Sequence, residues 1–330
     1  MNLAVLWLAL LGFLLAGYFV LGGADQGVQM LSSAARDERA RTGLLACLGP
    51  FFFGNEVWLV GAVAVLIGAF PFLEGSLLPG LYPLFVALVA GLVLGKAAVQ
   101  LRGRATGRWS RRVWDGCVAA GGAISAVGWG LVVGVLLAGV PMRDGRTFTL
   151  GWPMLLNPFV LSCGLAFGAV FAAHGLMFAW MRVPERIPVR PAPVLAVATA
   201  AVALAVVLGA GTGAVRPVNP APVWALTGVT ALALGAAWWA VRAGRAGRAF
   251  AATGVVAALP VPLLGVGNHP YVLLATEGPG MTVAEGAADE ASLGILTAFG
   301  VVVLPLVLAC QVWSWWAFRG RVDRGTPTYL

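Results

Sequence analysis

Charge is the scarcest property of this sequence. Only 10% of its 330 residues are charged, whereas a water-soluble domain carries about a quarter. With 60% of the residues hydrophobic, no ordinary hydrated surface can form, and lipid must cover what charge does not. Lysine is nearly missing: Lys96 is the single instance, and arginine carries the net charge of +8. That excess could suggest nucleic acid, but such binding needs a contiguous basic face. The arginines instead stand in short clusters between apolar runs, so nucleic acid is set aside as a partner. Cys47, Cys117, Cys163 and Cys310 are scattered without C-x-x-C spacing, which argues against a disulfide framework or a thiolate metal site. They read as small buried hydrophobes. The only two histidines are His174 and His269. A haem needs axial ligands, yet His174 and the nearby Met177 share one predicted helix and cannot clamp opposite faces of a macrocycle. His269 falls in a loop. There is also no G-x-x-x-x-G-K-[ST] stretch and no strand-turn-helix context for a nucleotide. The sequence therefore offers no catalytic residue, no cofactor ligand and no metal ligand of its own.

What is abundant is apolar length. A bilayer core about 30 Å thick needs about 20 apolar residues per helix. Nine runs qualify, at approximately 3–23, 50–70, 78–98, 115–139, 157–181, 193–213, 222–241, 249–267 and 293–318. The expected fold is an all-α integral membrane protein with a single transmembrane domain over 1–330 and about nine helices. The first run begins almost at Met1, with no Lys or Arg ahead of it and no small-residue cleavage site behind a short core. It reads as a retained helix and not as a signal peptide. Asn157-Pro158 predicts an N-cap followed by proline at the first helical position. Pro220 and Pro222 precede the seventh run, whereas Pro260, Pro262 and Pro305 lie inside the eighth and ninth and predict kinks there.

Alternate loops differ sharply in charge. One side holds 18 of the 21 Lys and Arg residues, among them Arg36, Arg39, Arg41, Lys96, Arg102, Arg104, Arg108, Arg111 and Arg112. The other holds only Arg143, Arg146 and Arg216. Positive loops stay in the cytoplasm, which predicts an N-terminus outside and an arginine-rich C-terminus inside, at Arg319, Arg321 and Arg324. Trp238-Trp239 before Arg242, and Trp313, Trp315 and Trp316 before Arg319, fall where an interfacial aromatic belt belongs. The long outer loop, about 268–292, carries Glu277, Glu285, Asp289 and Glu290 without a cation and reads as solvated. Gly91/Gly95, Gly130/Gly134, Gly164/Gly168 and Gly209/Gly213 are spaced four apart and suit close helix packing.

An ionisable group inside hydrocarbon is costly and should be paired, face a cavity or be functional. Glu56 lies in Gly54-Asn55-Glu56-Val57-Trp58, about 9 Å up the second helix at 1.5 Å per residue. Asp25 lies in Gly22-Gly23-Ala24-Asp25-Gln26-Gly27 at the inner end of the first. Two carboxyls at neighbouring depths could pass protons inward; they could equally hydrogen-bond helix to helix. Asp115 is expected to cap the fourth helix, Lys96 and Arg102 to snorkel to the interface, and His174 to be an interior or interfacial polar residue.

These motifs resemble subunit II of the cytochrome bd-type quinol oxidases. Gly17-Tyr18-Phe19-Val20-Leu21-Gly22-Gly23-Ala24-Asp25-Gln26-Gly27-Val28 is similar to that family's G-Y-x-x-x-D-G-F-D-x-G-V. Gly49-Pro50-Phe51-Phe52-Phe53-Gly54-Asn55-Glu56-Val57-Trp58-Leu59 is similar to its G-P-x-W-D-G-N-E-V-W-L. Ala69-Phe70-Pro71, Trp114-Asp115, Leu156-Asn157-Pro158-Phe159, Leu304-Pro305-Leu306-Val307-Leu308 and Phe318-Arg319-Gly320-Arg321-Val322 follow in the family's order. The resemblance implies a multi-pass protein of the bacterial cell membrane, pseudo-symmetric with a larger, haem-bearing subunit I. That partner would ligate haems b and d, and the complex would oxidise quinol and reduce dioxygen to water, drawing protons from the cytoplasm. A small accessory subunit and bound lipid or quinone are further partners it allows. Of the family's acidic proton-path residues, Asp25 and Glu56 carry over. Gly22 replaces the first Asp, Phe52-Phe53 replaces Trp-Asp, and Gly95 and Gln100 stand at an Arg and a Glu position, with Lys96 adjacent and Arg102 retained. The alternative from another class is a multi-spanning solute or ion carrier, for which repeated halves and broken helices would be the signature.

Overall fold

The structure, a computed structural model, describes residues 2–49, 51–143, 146–278, 280–317 and 320. Among them, nine helices are long and apolar enough to cross a membrane: Leu3–Ala34, Phe51–Ala69, Tyr82–Arg102, Arg108–Ala138, Pro158–Arg182, Pro191–Gly211, Pro220–Arg242, Ala246–Asn268 and Glu290–Ala317. They are called spans 1 to 9. Pro50, the tail motif from Phe318 to Val322 apart from Gly320, and the terminal cluster Arg319, Arg321 and Arg324 lie outside the described residues.

Span 5 is the hub, packed against spans 1, 4, 6 and 8. Of its most apolar stretch 72% is buried, against 6% for span 9, which therefore stands at the edge of the bundle. Small residues decide how closely the hub can be approached. A Cβ at Gly27 would lie 1.9 Å from the carbonyl oxygen of Phe171, and one at Gly175 would lie 2.5 Å from the amide nitrogen of Val28. Spans 1 and 5 thus touch backbone to backbone. Spans 3 and 4 do the same where Gly121 faces Gly95. Around these seams, Tyr18, Phe19, Trp129, Phe167 and Phe171 form a continuous aromatic cluster with centroids 5.3–6.3 Å apart.

Several helices run differently from their apolar stretches. Span 1 continues as α-helix to Leu31, because Asp25, Gln26 and Gln29 are buried in protein and need not end at the lipid boundary. Span 2 is interrupted at Asn55, between Phe51–Gly54 and Glu56–Ala69. A separate helix, Pro71–Gly80, precedes span 3. Span 4 begins at Arg108 with Gly107 as its N-cap, so Asp115 lies two turns inside the helix and is not its cap. Span 8 is divided at Leu259, with Pro260 opening its second piece, whereas span 9 stays helical through Pro305. The N-cap expected at Asn157 is present: its side chain accepts from the amide of Phe159 at 2.9 Å.

The loop between spans 8 and 9 holds a short antiparallel hairpin, β1 (Tyr271–Leu273) and β2 (Met281–Thr282). Its acids serve as caps. Glu285 and Thr282 form a reciprocal capping box, and Asp289 accepts from the amide and hydroxyl of Ser292 at 3.0 and 2.7 Å. Hydrogen bonds from Thr282 and from Ser292, respectively, hold both carboxyls below their ordinary titration range.

Candidate functional site

At one end of the bundle the break in span 2 brings together residues of three spans. Asn55 is 2% exposed, and its side-chain amide donates to Asp25 at 3.0 Å and to the carbonyl of Leu21 at 3.4 Å. The next residue, Glu56, lies 3.0 Å from the ammonium of Lys96 in span 3, which is also 3.6 Å from Asp25. Lys96 further donates to the carbonyl of Phe52 and rests over the Phe52 ring, 3.6 Å from its centroid. The interruption of the helix frees carbonyls that need donors. Lys96 takes that of Phe52 and Gln311 of span 9 takes that of Gly54, at 3.0 Å. Asp25 and Glu56 are thus brought to one cation, and Lys96 does not snorkel to the interface: a paired ammonium inside the bundle costs less than the unpaired carboxyls it would leave behind.

Burial is graded across the cluster. The side chain of Glu56 is 24% exposed, that of Lys96 14% and that of Asp25 4%. On the inward side of Asp25, Tyr18 leans over Gly22 so that a Cβ there would meet its ring at 2.6 Å, and the Tyr18 hydroxyl accepts from Gln26 at 3.0 Å. The space that an acid at position 22 would need is filled by this pair.

A second charged network lies beyond the first. Arg102, at the end of span 3, donates to both oxygens of Glu38 at 2.7 and 2.8 Å and to Asp115. Arg41 reaches Asp115 at 3.0 Å and the carbonyl of Ser32 at 3.0 Å. Arg102 is therefore buried in ion pairs, contrary to the interfacial position its sequence context suggests. Sequence reasoning passed over these pairings because the partners lie 13 to 74 residues apart. One signal was available: Lys96 is followed by Ala97-Ala98-Val99, which is no interfacial setting for a cation.

His174 is fully buried and stacked on Phe250, centroids 4.5 Å apart. Its Nε2 faces the carbonyl of Val20 at 2.9 Å and its Nδ1 faces the hydroxyl of Thr253 at 2.8 Å. A carbonyl only accepts, so Nε2 carries the proton and Nδ1 accepts from Thr253. Both nitrogens are engaged, and neither is free for iron. His269 is exposed beside the hairpin. Among the described residues no group of three or more His, Cys, Asp or Glu side chains is gathered to hold a metal. Among the described residues, neither histidine is placed to hold a haem.

Fold and site together define a polytopic membrane protein with a carboxylate–ammonium cluster inside one end of its bundle. Comparison with known proteins narrows the class: the chain belongs to the family of cytochrome bd terminal oxidase subunit II, which it matches over residues 3–318. It is 27% identical to cytochrome bd ubiquinol oxidase subunit 2 of Bacillus subtilis, over 98% of this chain and 97% of that one. It is 24% identical to cytochrome bd-I ubiquinol oxidase subunit 2 of Escherichia coli K12, over 98% and 96%. The fold resembles a chain in the structure of bd oxidase from Geobacillus thermodenitrificans, with a TM-score of 0.70 and 18% identity over 96% of this chain and 99% of that one. As a family member it is one subunit of a bd-type oxidase and not an enzyme alone.

Proposed function

We propose that this chain packs beside a haem-bearing subunit I in a quinol oxidase of the bacterial cell membrane, and that it supplies protons to the complex from the cytoplasm through Glu56 and Asp25. The family match over residues 3–318 carries the first part. Geometry supports the second. Glu56 is the more exposed acid and Asp25 the more buried, and both reach the same ammonium, so a proton arriving at Glu56 has a second carboxyl within the same polar cluster. Reduction of dioxygen to water by quinol consumes protons at the reaction site, and a carboxyl path is the chemistry that can deliver them.

The orientation in this proposal places the N-terminus outside and the C-terminus in the cytoplasm, with the whole chain as a single transmembrane domain. The unequal arginine content of alternate loops supports it. So do the guanidinium groups of Arg242, Arg245 and Arg248, which lie 5.0–5.6 Å from the rings of Trp238 and Trp239, an interfacial pairing at the basic end. Span 9, so little buried in its own chain, offers apolar surface for a partner subunit or lipid.

A tagged copy co-expressed with subunit I is expected to purify with haem absorbance. Recovery of a stable, colourless chain alone would count against the assembly. In the assembled complex, Glu56→Gln is expected to lower oxygen consumption roughly 10-fold or more, since a positioned proton-transfer group contributes about 10²–10⁴. Unchanged turnover at every pH removes the proton role.

A further inference from the structure

We propose that Lys96 is the positioning residue of this carboxyl pair: its ammonium holds Glu56 as the ionised member and leaves one transferable proton on Asp25. The inference rests on the proton-uptake reading above. The cluster contains two carboxyls and one ammonium. Buried charge is tolerated only when it is compensated, so one carboxyl can be ionised at rest and the other holds a proton. The arrangement assigns the roles. Glu56 is closer to the ammonium, at 3.0 Å against 3.6 Å, and more exposed, whereas Asp25 is almost wholly enclosed.

The site is built for a cation at position 96 and not one residue earlier. A side chain at Gly95 would collide with Gln29, whose Oε1 lies 2.4 Å from the ideal Cβ, and Gly121 already packs on the Gly95 backbone. Lys96 points instead toward the break in span 2, where the Phe52 carbonyl and ring fix its head. Other titratable groups near the pair are Tyr18 from span 1, Cys47 from the loop before span 2, and Arg182 from span 5, which lies in range of Cys47. None of them places a second ammonium or guanidinium in salt-bridge contact with Asp25 or Glu56 among the described residues.

The test uses the haem-containing complex purified with Lys96→Met, Lys96→Arg and the double variant Lys96→Met/Glu56→Gln. Three quantities are read: haem per protein, oxygen consumption against pH, and the deuterium-sensitive infrared absorbance of protonated carboxyls. Lys96→Met is expected to assemble, to gain protonated-carboxyl absorbance at neutral pH, and to move the pH profile of turnover upward by about one unit or more, the scale on which a cation within 4–6 Å acts on a carboxyl. Lys96→Arg should return both readouts toward the parent. If Lys96→Met fails to assemble, the double variant, which removes the uncompensated charge, should recover assembly. Failure of both variants would reduce Lys96 to packing and overturn the inference. So would a Lys96→Met complex whose profile and infrared absorbance match the parent. The two readings fail separately. Slowed Glu56→Gln beside an unaltered Lys96→Met sinks the lysine and spares the path, whereas an unaltered Glu56→Gln with a shifted Lys96→Met infrared signal sinks the path and spares the lysine.

Discussion

Replacing Gly27 with valine is expected to abolish accumulation of the chain in membranes and, with it, of the haem-containing complex. Overpacked cores ordinarily lose about 1–3 kcal/mol because neighbouring side chains can turn aside. No such relief exists here. The first atoms that a new Cβ would meet are the backbone oxygen and carbon of Phe171, at 1.9 and 2.8 Å, and the Cα of Gly175, at 2.9 Å. Spans 1 and 5 would have to separate by more than an ångström along their closest contact. That displacement would also pull Val20 away from His174, a 2.9 Å hydrogen bond across the same interface. The His174 ring would then be left buried without the acceptor that fixes its tautomer. Gly175→Val should behave alike, since its Cβ would meet Val28 and Ala24 backbone at 2.5 and 2.7 Å. Gly103→Val is the control, because nothing lies within 4 Å of its Cβ. Membrane-fraction abundance and haem content would settle the matter, and a Gly27→Val chain present at the parent's level would show that the two spans are not in backbone contact.

The same seam explains what could be read without coordinates and what could not. Nine apolar runs of membrane length were visible because lipid imposes length and composition on each span separately. Which spans touch was much less visible. Glycines four residues apart mark some seams: Gly130 and Gly134 pack against Cys163, Gly164 and Val160. The same spacing misleads at Gly213, which has open space around it and lies in a turn with φ of +63°. At the closest contact of all, Gly27 against Phe171 and Gly175, span 1 does carry the spacing, since Gly23 lies four residues earlier and also packs on Phe171, whereas span 5 has no glycine four residues from Gly175. That the two faces meet, 148 positions apart between Gly27 and Gly175, is information about pairing, which hydropathy does not contain.

At the site, the acids were legible and their partners were not. Asp25 and Glu56 stood out because an ionisable group in an apolar helix is expensive wherever it lies. Lys96, Arg102 and Asp115 were each assigned the commonest local role of their type, and in all three the tertiary pairing overrides it. Asp115 follows Trp114 just where the apolar run begins, which looks like a cap. The preceding turn is already helical, however, since Arg108–Trp114 can extend span 4 beyond the hydrocarbon while its side chains stay in the polar zone. Local rules fail at charged residues first, because the cost of a charge depends on what lies opposite it.

The largest consequence of those pairings concerns Arg102. Removing its guanidinium by Arg102→Met is expected to destabilise the assembled complex by an amount near the lower end of the roughly 3–5 kcal/mol lost when one partner of a buried ion pair is deleted. The side chain is 8% exposed and forks between two acids: both oxygens of Glu38 at 2.7 and 2.8 Å, and Asp115. The two arms differ in worth. Glu38 is 47% exposed and can return to water at small cost, as surface pairs generally do. Asp115 is 14% exposed and, among the described residues, would keep only Arg41 as an ion-pair partner, at 3.0 Å, so most of the loss arises there. Lysine should rescue poorly, because a point charge cannot satisfy both acids in a fixed fork. Arg36→Met, at an exposed position of the same charged end, should be nearly neutral. The consequence reaches the carboxylate–ammonium cluster around Lys96 as well. Glu38 opens the helix Glu38–Ala46 that leads into span 2, and loosening that helix frees the segment from Phe52 to Glu56 on which the Lys96 contacts depend. Thermal inactivation of the purified complex should therefore be faster for Arg102→Met than for the parent, with turnover before heating also reduced. An Arg102→Met complex as heat-resistant and as active as the Arg36→Met control would mean that the network ties nothing together.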